Sequence, residues 1–329
     1  MANYKELEGF GVQTLAADPD SAGWVGSIFY NSTSGTFKTV KPGGVTAGTW
    51  ASGGNLNTAR RALGGDGTQT TAWVVSGYDG VSPSVAHEQY NGSAWTEVGD
   101  LNTARYGGQG MGTQTAAIYA AGGPAVNITE SWNGSAWTEV ADQTSGVNYR
   151  SGAGTQTDAL TAGGQPPVTG NAETWNGTSW TEVNNLNTAR FGLAGAGTGP
   201  SNLAICGITP GGASTNTESW NGSAWTEVGT LNSGRFGYLA AAGNVSLALA
   251  FGGGGVNAPA SYALTEYWDG STWTEVNDMS TARGEISGAR SGTSSLTLVA
   301  GGATPSPGIS SLTEEWTAPD VVINTLTTS

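Results

Sequence analysis

A twelve-residue phrase written five times constrains this chain more than any other feature. "TESWNGSAWTEV" spans Thr129–Val140, and near-copies begin at Glu88 ("EQYNGSAWTEV"), Ala172 ("AETWNGTSWTEV"), Thr217 ("TESWNGSAWTEV") and Thr265 ("TEYWDGSTWTEV"). The second tryptophan of each copy (Trp95, Trp137, Trp180, Trp225, Trp273) recurs every 42 to 48 residues, and Trp50, in "GTWASGG", extends the series to six. The preceding aromatic recurs too, at Tyr90, Trp132, Trp175, Trp220, Trp268 and Trp316. A period of this length marks a repeat architecture, in which a unit cannot bury its faces alone and must stack on its neighbours.

Other marks share the period. An arginine follows most tryptophans by ten residues, as in "LNTAR": Arg60, Arg105, Arg190, Arg235 and Arg283, with Arg150 at thirteen in the third unit. A run of small apolar residues then ends in a small pair such as Gly122-Gly123 or Cys206-Gly207. Glu88, Glu130, Glu173, Glu218, Glu266 and Glu314 each stand two residues before an aromatic. Each unit therefore predicts four strands: a after the arginine, b in the small apolar run, c carrying Glu-x-aromatic, and d carrying "WTEV". The Asn-Gly or Asp-Gly between c and d is a strong hairpin signal, because a type I′ turn needs positive φ at both central residues. Ala- and Gly-rich inner strands suit close approach around an axis, and outer aromatics fill the widening gap between neighbours. The expectation is an all-β, six-bladed β-propeller. The last unit reaches Trp316 without a following "WTEV", and Trp50 lacks a c strand before it. Residues near Thr49–Ala51 are therefore expected to supply the missing strand beside Trp316 and close the ring. The domain reading is an attachment or packing segment over 1–48, the propeller over 49–320, and a tail or extra strand over 321–329.

The order arginine, small-residue strand, Gly-Gly, aromatic, tryptophan resembles the Kelch repeat over about residues 50–318. The first unit departs with Ser76-Gly77 and the fourth with Cys206-Gly207, and the c–d turns are unusually short and uniform. Upstream, "GSIFYNSTSGTFKTV" (Gly26–Val40) resembles a strand–turn–strand element of phage tail-fibre and virion appendage proteins, and the tandem "WNGSAWTEV…LNTAR" style resembles structural proteins of marine bacteriophages. What the second resemblance implies is a virion protein, made in a host cytoplasm, whose partners are other virion proteins. Propellers of this kind serve many functions, so the fold does not select one.

Composition narrows the functions. A formal net charge of −14 opposes nucleic-acid binding through a basic patch. No stretch approaches the roughly 20 apolar residues that cross a bilayer, and "MANYKELEGFGVQT" offers no apolar core of a secretion signal. One cysteine, Cys206, forms no internal disulfide, and it reads as a buried structural thiol. His87 is the only histidine, so a Ser-His-Asp triad or a zinc or copper site has too few donors. Two carboxylates suffice for a glycosidase, and there are 25 acids. The six equivalent glutamates, however, match six equivalent arginines. That symmetry points to a structural Arg–Glu or Arg–backbone clamp in every unit. "DGSTW" (Asp269–Trp273) is one residue too short for the sialidase Asp-box, and "FGGGGVN" lacks the lysine of a phosphate loop. No cofactor or metal is expected.

Variation concentrates in the b–c loops, which share one face with the d–a loops. Loops on a rigid frame carry recognition. Tyr78, Asp79, Asn127, Gln165, Asn216, Asn257 and Tyr262 are the candidate binding residues there. The expectation is a non-enzymatic virion structural protein, a tail fibre, appendage or surface decoration, presenting a propeller to a protein or a host-surface glycan. It attaches through residues 1–48 and is compatible with a homo-oligomer. The alternatives are a carbohydrate-active enzyme on the same scaffold and a cytoplasmic Kelch-type adaptor.

Overall fold

The computed structural model describes residues 12–124, 126–235, 237–255, 260–305 and 308–326. The chain divides into two compact units: one holds the described residues up to Gly48 and those from Ala318 on, and the other is Thr49–Thr317. In the first, Gln13–Leu15, Ile28–Asn31, Thr36–Pro42 and Val321–Thr325 form a four-stranded sheet in that order. Its first pair is parallel and the other two are antiparallel. Phe29, Val40 and Val321 are its buried core, packed by Leu15, Trp24 and Ile323. No helix among the described residues is long and apolar enough to cross a membrane.

The second unit is all-β and propeller-like, built from six four-stranded antiparallel sheets, here numbered I to VI, each with strands a to d. Sheet I is Gly64–Asp66, Trp73–Val75, His87–Tyr90 and Trp95–Glu97. Sheet II is Gln109–Gly112, Ala117–Gly122, Val126–Trp132 and Trp137–Val140. Sheet III is Ser151–Gly154, Ala159–Ala162, Ala172–Trp175 and Trp180–Val183. Sheet IV is Ala194–Gly197, Asn202–Ile205, Asn216–Trp220 and Trp225–Thr230. Sheet V is Ala240–Gly243, Ala248–Phe251, Thr265–Trp268 and Trp273–Glu275. Sheet VI is Ser287–Gly288, Leu296–Ala300 and Thr313–Thr317, with Thr49–Ser52 as its d strand.

One register repeats throughout. The aromatic of strand c lies directly opposite the tryptophan of strand d: Tyr90 with Trp95, Trp132 with Trp137, Trp175 with Trp180, Trp220 with Trp225, and Trp268 with Trp273. In sheet VI the same pair is Trp316 with Trp50, drawn from opposite ends of the unit. Each hairpin turn is tied by its Asn or Asp. Asn91 Oδ1, for example, accepts from the Ser93 and Ala94 N–H groups at 3.0 and 2.9 Å.

The core is a series of interfaces between successive sheets rather than one cluster. Trp73 and Val75 of sheet I pack with Ala117, Tyr119, Trp132 and Trp137 of sheet II. Leu298 and Ala300 of sheet VI likewise meet Val74, Tyr90 and Trp95 of sheet I. Strands a approach so closely that Gly195 has no room for a side chain: a Cβ there would stand 2.5 Å from the carbonyl oxygen of Gly152. At the outer rim, the indole N–H of strand d reaches strand c of the preceding sheet. Trp95 donates to Thr313, Trp180 to Thr129, Trp273 to Thr217 and Trp50 to Thr265, at 2.9–3.0 Å. Trp137 donates to His87 Nδ1 at 3.2 Å. At the sixth junction the slot holds Ala172, and the buried Trp225 Nε1 has no partner.

A second set of bonds joins all six sheets. Ala62 donates its N–H to the Glu285 carbonyl, Gly107 to Ala62, Tyr149 to Gly107, Gly192 to Tyr149, Tyr238 to Gly192 and Glu285 to Tyr238, at 2.6–2.9 Å. These six bonds return to the residue where they began.

Candidate recognition site

The segment between strand d of one sheet and strand a of the next carries the periodic arginine, which is buried in every case. Arg60 Nη1 donates to the Ser76 and Ala86 carbonyls at 2.7 and 2.6 Å, and its Nη2 meets Glu88 Oε1 at 2.6 Å. The other glutamate oxygen accepts from the backbone and side-chain nitrogens of Asn57 at 2.7 and 2.9 Å. Arg105–Glu130, Arg150–Glu173, Arg190–Glu218, Arg235–Glu266 and Arg283–Glu314 repeat the ion pair at 2.6–2.9 Å. Asn102, Asn187 and Asn232 repeat the role of Asn57. Burial pulls Arg60, Arg150, Arg190 and Arg283 below the ordinary guanidinium value, and the paired glutamates oppose that shift. Such a pair is held by its hydrogen bonds, because desolvation offsets most of its Coulomb attraction. The clamps fix the loops that follow them.

Next to the clamps run the six residues of the hydrogen-bond cycle. All have positive φ, and Ala62, Tyr149, Tyr238 and Glu285 are not glycine, with φ of 52–56°. That conformation costs an L-residue about 1–2 kcal/mol, and it persists only where the surroundings impose it. Three of these strained residues project side chains into one recess of about 380 Å³, lined also by Arg61, Tyr78, Tyr106 and Gln165. The aromatic rings form a chain. Tyr78 to Tyr106 is 6.0 Å between centroids, Tyr106 to Tyr149 is 6.3 Å, and Tyr149 to Tyr238 is 4.8 Å with the rings edge to face. Phe191 lies 6.1 Å from Tyr238. The Arg61 guanidinium sits 4.8 Å above the Tyr78 ring and is ion-paired with Glu285. Burial first, and then the Glu285 charge, push the Tyr149 and Tyr238 phenols well above the ordinary tyrosine value, so both are protonated at neutral pH.

Of the candidate residues read from the sequence, Tyr78 and Gln165 line this recess. Asp79 is spent on its own turn, accepting from the Val81 and Ser82 N–H groups at 2.8 Å, which holds its carboxyl below the usual range. Asn127 donates to the Gln143 carbonyl at 3.0 Å, and Asn216 to Glu227 at 2.9 Å. Tyr262 is held through its backbone: its N–H donates to the Gly253 carbonyl, and its carbonyl accepts from the N–H of Arg283, the arginine of the sixth clamp. Asn257 lies outside the described residues. Sequence reading missed Arg61, Tyr106, Tyr149, Tyr238 and Glu285. The available signal was the short segment around the periodic arginine, which changes chemistry from unit to unit ("RRA", "RYG", "NYR", "RFGY", "RGE") while the arginine does not.

The chemistry suits binding. Among the described residues lining the recess, Glu285 is the one carboxylate, and Arg61 neutralises it. Two-carboxylate hydrolysis has no second acid there. His87 is buried among Trp73, Trp132 and Trp137, far in role from any solvent-facing base. Burial, opposed by the Gly99 carbonyl and reinforced by Arg60, lowers its pKa to about 4. Cys206 is buried and its Sγ lies 3.5 Å from the Arg235 carbonyl, with burial raising its pKa. No group of three or more His, Cys, Asp or Glu placed to hold a metal occurs among the described residues.

No family model matches the sequence, and no curated protein matches it. Solved structures do match. The one described as "Structure of YjhT" is similar over 82% of this chain and 99% of that chain, with a TM-score of 0.66 and 13% identity. At that identity the likeness shows an all-β, propeller-like fold alone.

Proposed function

We propose that sheets I to VI are the six blades of one closed, Kelch-like propeller, and that the chain is a non-enzymatic structural protein of a bacteriophage virion that binds a host-surface or neighbouring ligand at the tyrosine-lined recess. Closure is supported by the Trp316–Trp50 pairing and by the six-membered hydrogen-bond cycle. The virion setting is supported by the phage-like style of Gly26–Val40 and of the tandem repeat. The small sheet of the first unit, with Ile28 and Phe37 about half exposed, is the surface for attachment to other virion proteins or to further copies of this chain.

One observation carries the binding role. Side chains from several different repeats, unlike one another, converge on a single recess held by an otherwise periodic frame. Recognition sites are concave and combine aromatic walls with a few placed polar groups. Mass spectrometry of purified particles, followed by location of the subunit in an electron-microscopy map, tests the virion assignment. Absence of the chain from particles, or a ring of five or seven blades, overturns the corresponding part.

A further inference from the structure

The recess does more than offer aromatic surface, since its electrostatic balance discriminates among ligand classes. Its charged lining is one Arg and one Glu, and these are paired with each other. A ligand anion would meet the Glu285 charge, and a ligand cation would meet Arg61. Over Tyr78 the cation position is already taken, because the Arg61 guanidinium lies there. What remains unused is neutral. The Tyr106, Tyr149 and Tyr238 hydroxyls make no hydrogen bond to another described residue, whereas the Tyr78 hydroxyl donates to the Val81 carbonyl at 3.2 Å. Both Tyr149 and Tyr238 are half-buried, and each phenol is both donor and acceptor.

Resting on the binding role proposed above, we infer that the recess takes an uncharged sugar, the end of a neutral glycan. A pyranose ring presents a C–H face and a rim of hydroxyls. The Tyr78–Tyr106–Tyr149–Tyr238 chain supplies apolar ring surface for the first. The Tyr106, Tyr149 and Tyr238 phenols, the Gln165 amide and the Arg61–Glu285 pair supply donors and acceptors for the second. A volume of about 380 Å³ lies within the range of small-ligand sites. Specificity against a deoxy or apolar analogue follows, because unfilled polar groups in the recess would lose their partners.

Ligand-observed NMR and calorimetry on the full chain provide the test. The probes are methyl glycosides of galactose, glucose and mannose, lactose, the anionic sugar sialyllactose, and choline as a cation. The expected result is binding of at least one neutral glycoside, weakened tenfold or more in both Tyr106→Ala and Gln165→Ala, with thermal unfolding of both variants close to that of the parent. A tenfold loss corresponds to about 1.4 kcal/mol. Equal binding of that glycoside to parent and variants would place it elsewhere and overturn the inference. Sialyllactose or choline binding that depends on Tyr106, without neutral-sugar binding, overturns the ligand class and leaves the recess as a recognition site. No binding of any probe by the folded parent overturns the sugar assignment, and capture of a virion or host protein that is lost in Tyr106→Ala then preserves the recognition role alone.

Discussion

The belt of arginine–glutamate clamps and indole contacts and the recess are built on the same repeat but obey opposite rules. In the belt the six arginine–glutamate pairs agree to within 0.3 Å, from 2.6 to 2.9 Å. Four of the six indole N–H groups find a threonine in the same slot. Around the recess the equivalent positions hold alanine, glycine, tyrosine, glycine, tyrosine and glutamate, although their backbones share one φ region and one hydrogen-bond cycle. The backbone there is as periodic as the belt, and the side chains are not. Repetition therefore serves stability: the belt departs from it only singly, at His87 and Ala172, whereas around the recess four different residue types fill the six equivalent positions. The recess tolerates such departures because its hydrogen-bond cycle runs through backbone groups, so no side chain there is needed to make it.

The sharpest way to break this contrast is to remove one clamp. Arg190→Met leaves Glu218 buried without its cation, and such a loss costs about 3–5 kcal/mol. Arg283→Met should cost about the same, because its partners are equivalent: the Gly301 and Leu312 carbonyls and Glu314. Urea unfolding measures both. If the two costs differ by more than twofold, the belt is not the uniform frame described here.

A somewhat smaller effect should come from His87, the belt's ionisable departure. Its folded pKa is about 4 against an ordinary 6.5. As pH falls through 6.5 the unfolded chain takes up the proton first, so stability declines down to pH 4 and the contribution levels off below it. The loss is about 3 kcal/mol at 1.36 kcal/mol per unit. His87→Thr puts into the slot the residue that four other junctions use. The difference in stability between parent and variant should then shrink or reverse between pH 4 and 6.5. A parallel pH dependence of the two proteins would sink the assignment of a buried, neutral imidazole.

How much of this could be read beforehand divides along the same line. The belt is legible because each junction makes the same demand, so Trp, Arg and Glu return at a readable period. The hook made by Asn57 and its counterparts is visible as "LNTAR", but its meaning is not, because Glu88 Oε2 comes to it from 31 residues away. The recess hides for a different reason. Tyr149 precedes its arginine by one residue, whereas Tyr238 follows Arg235 by three, so no fixed spacing marks them. Only the backbone cycle aligns them. The b–c loops looked like the recognition surface because they vary. Of their candidate groups, Tyr78 and Gln165 do line the recess, Asp79 closes its own turn, and Asn127 and Asn216 bond to Gln143 and Glu227.

The smallest effect tests the belt at its one faulty joint. Thr129, Thr217, Thr265 and Thr313 each accept an indole N–H, and the matching position in sheet III is Ala172, which is fully buried. Trp225 Nε1 is left there without an acceptor, and a buried donor in that state costs about 1–3 kcal/mol. Ala172→Thr restores the group that the other junctions use, in a slot whose strand register is the same. It should raise stability by about 1 kcal/mol, read as a shift of the urea midpoint at unchanged slope. The reciprocal change, Thr217→Ala, should remove a similar amount by orphaning Trp273 Nε1. A destabilising Ala172→Thr would mean that the joint between sheets III and IV is packed more tightly than its counterparts, and that the frame has been tuned there for shape at the expense of a hydrogen bond.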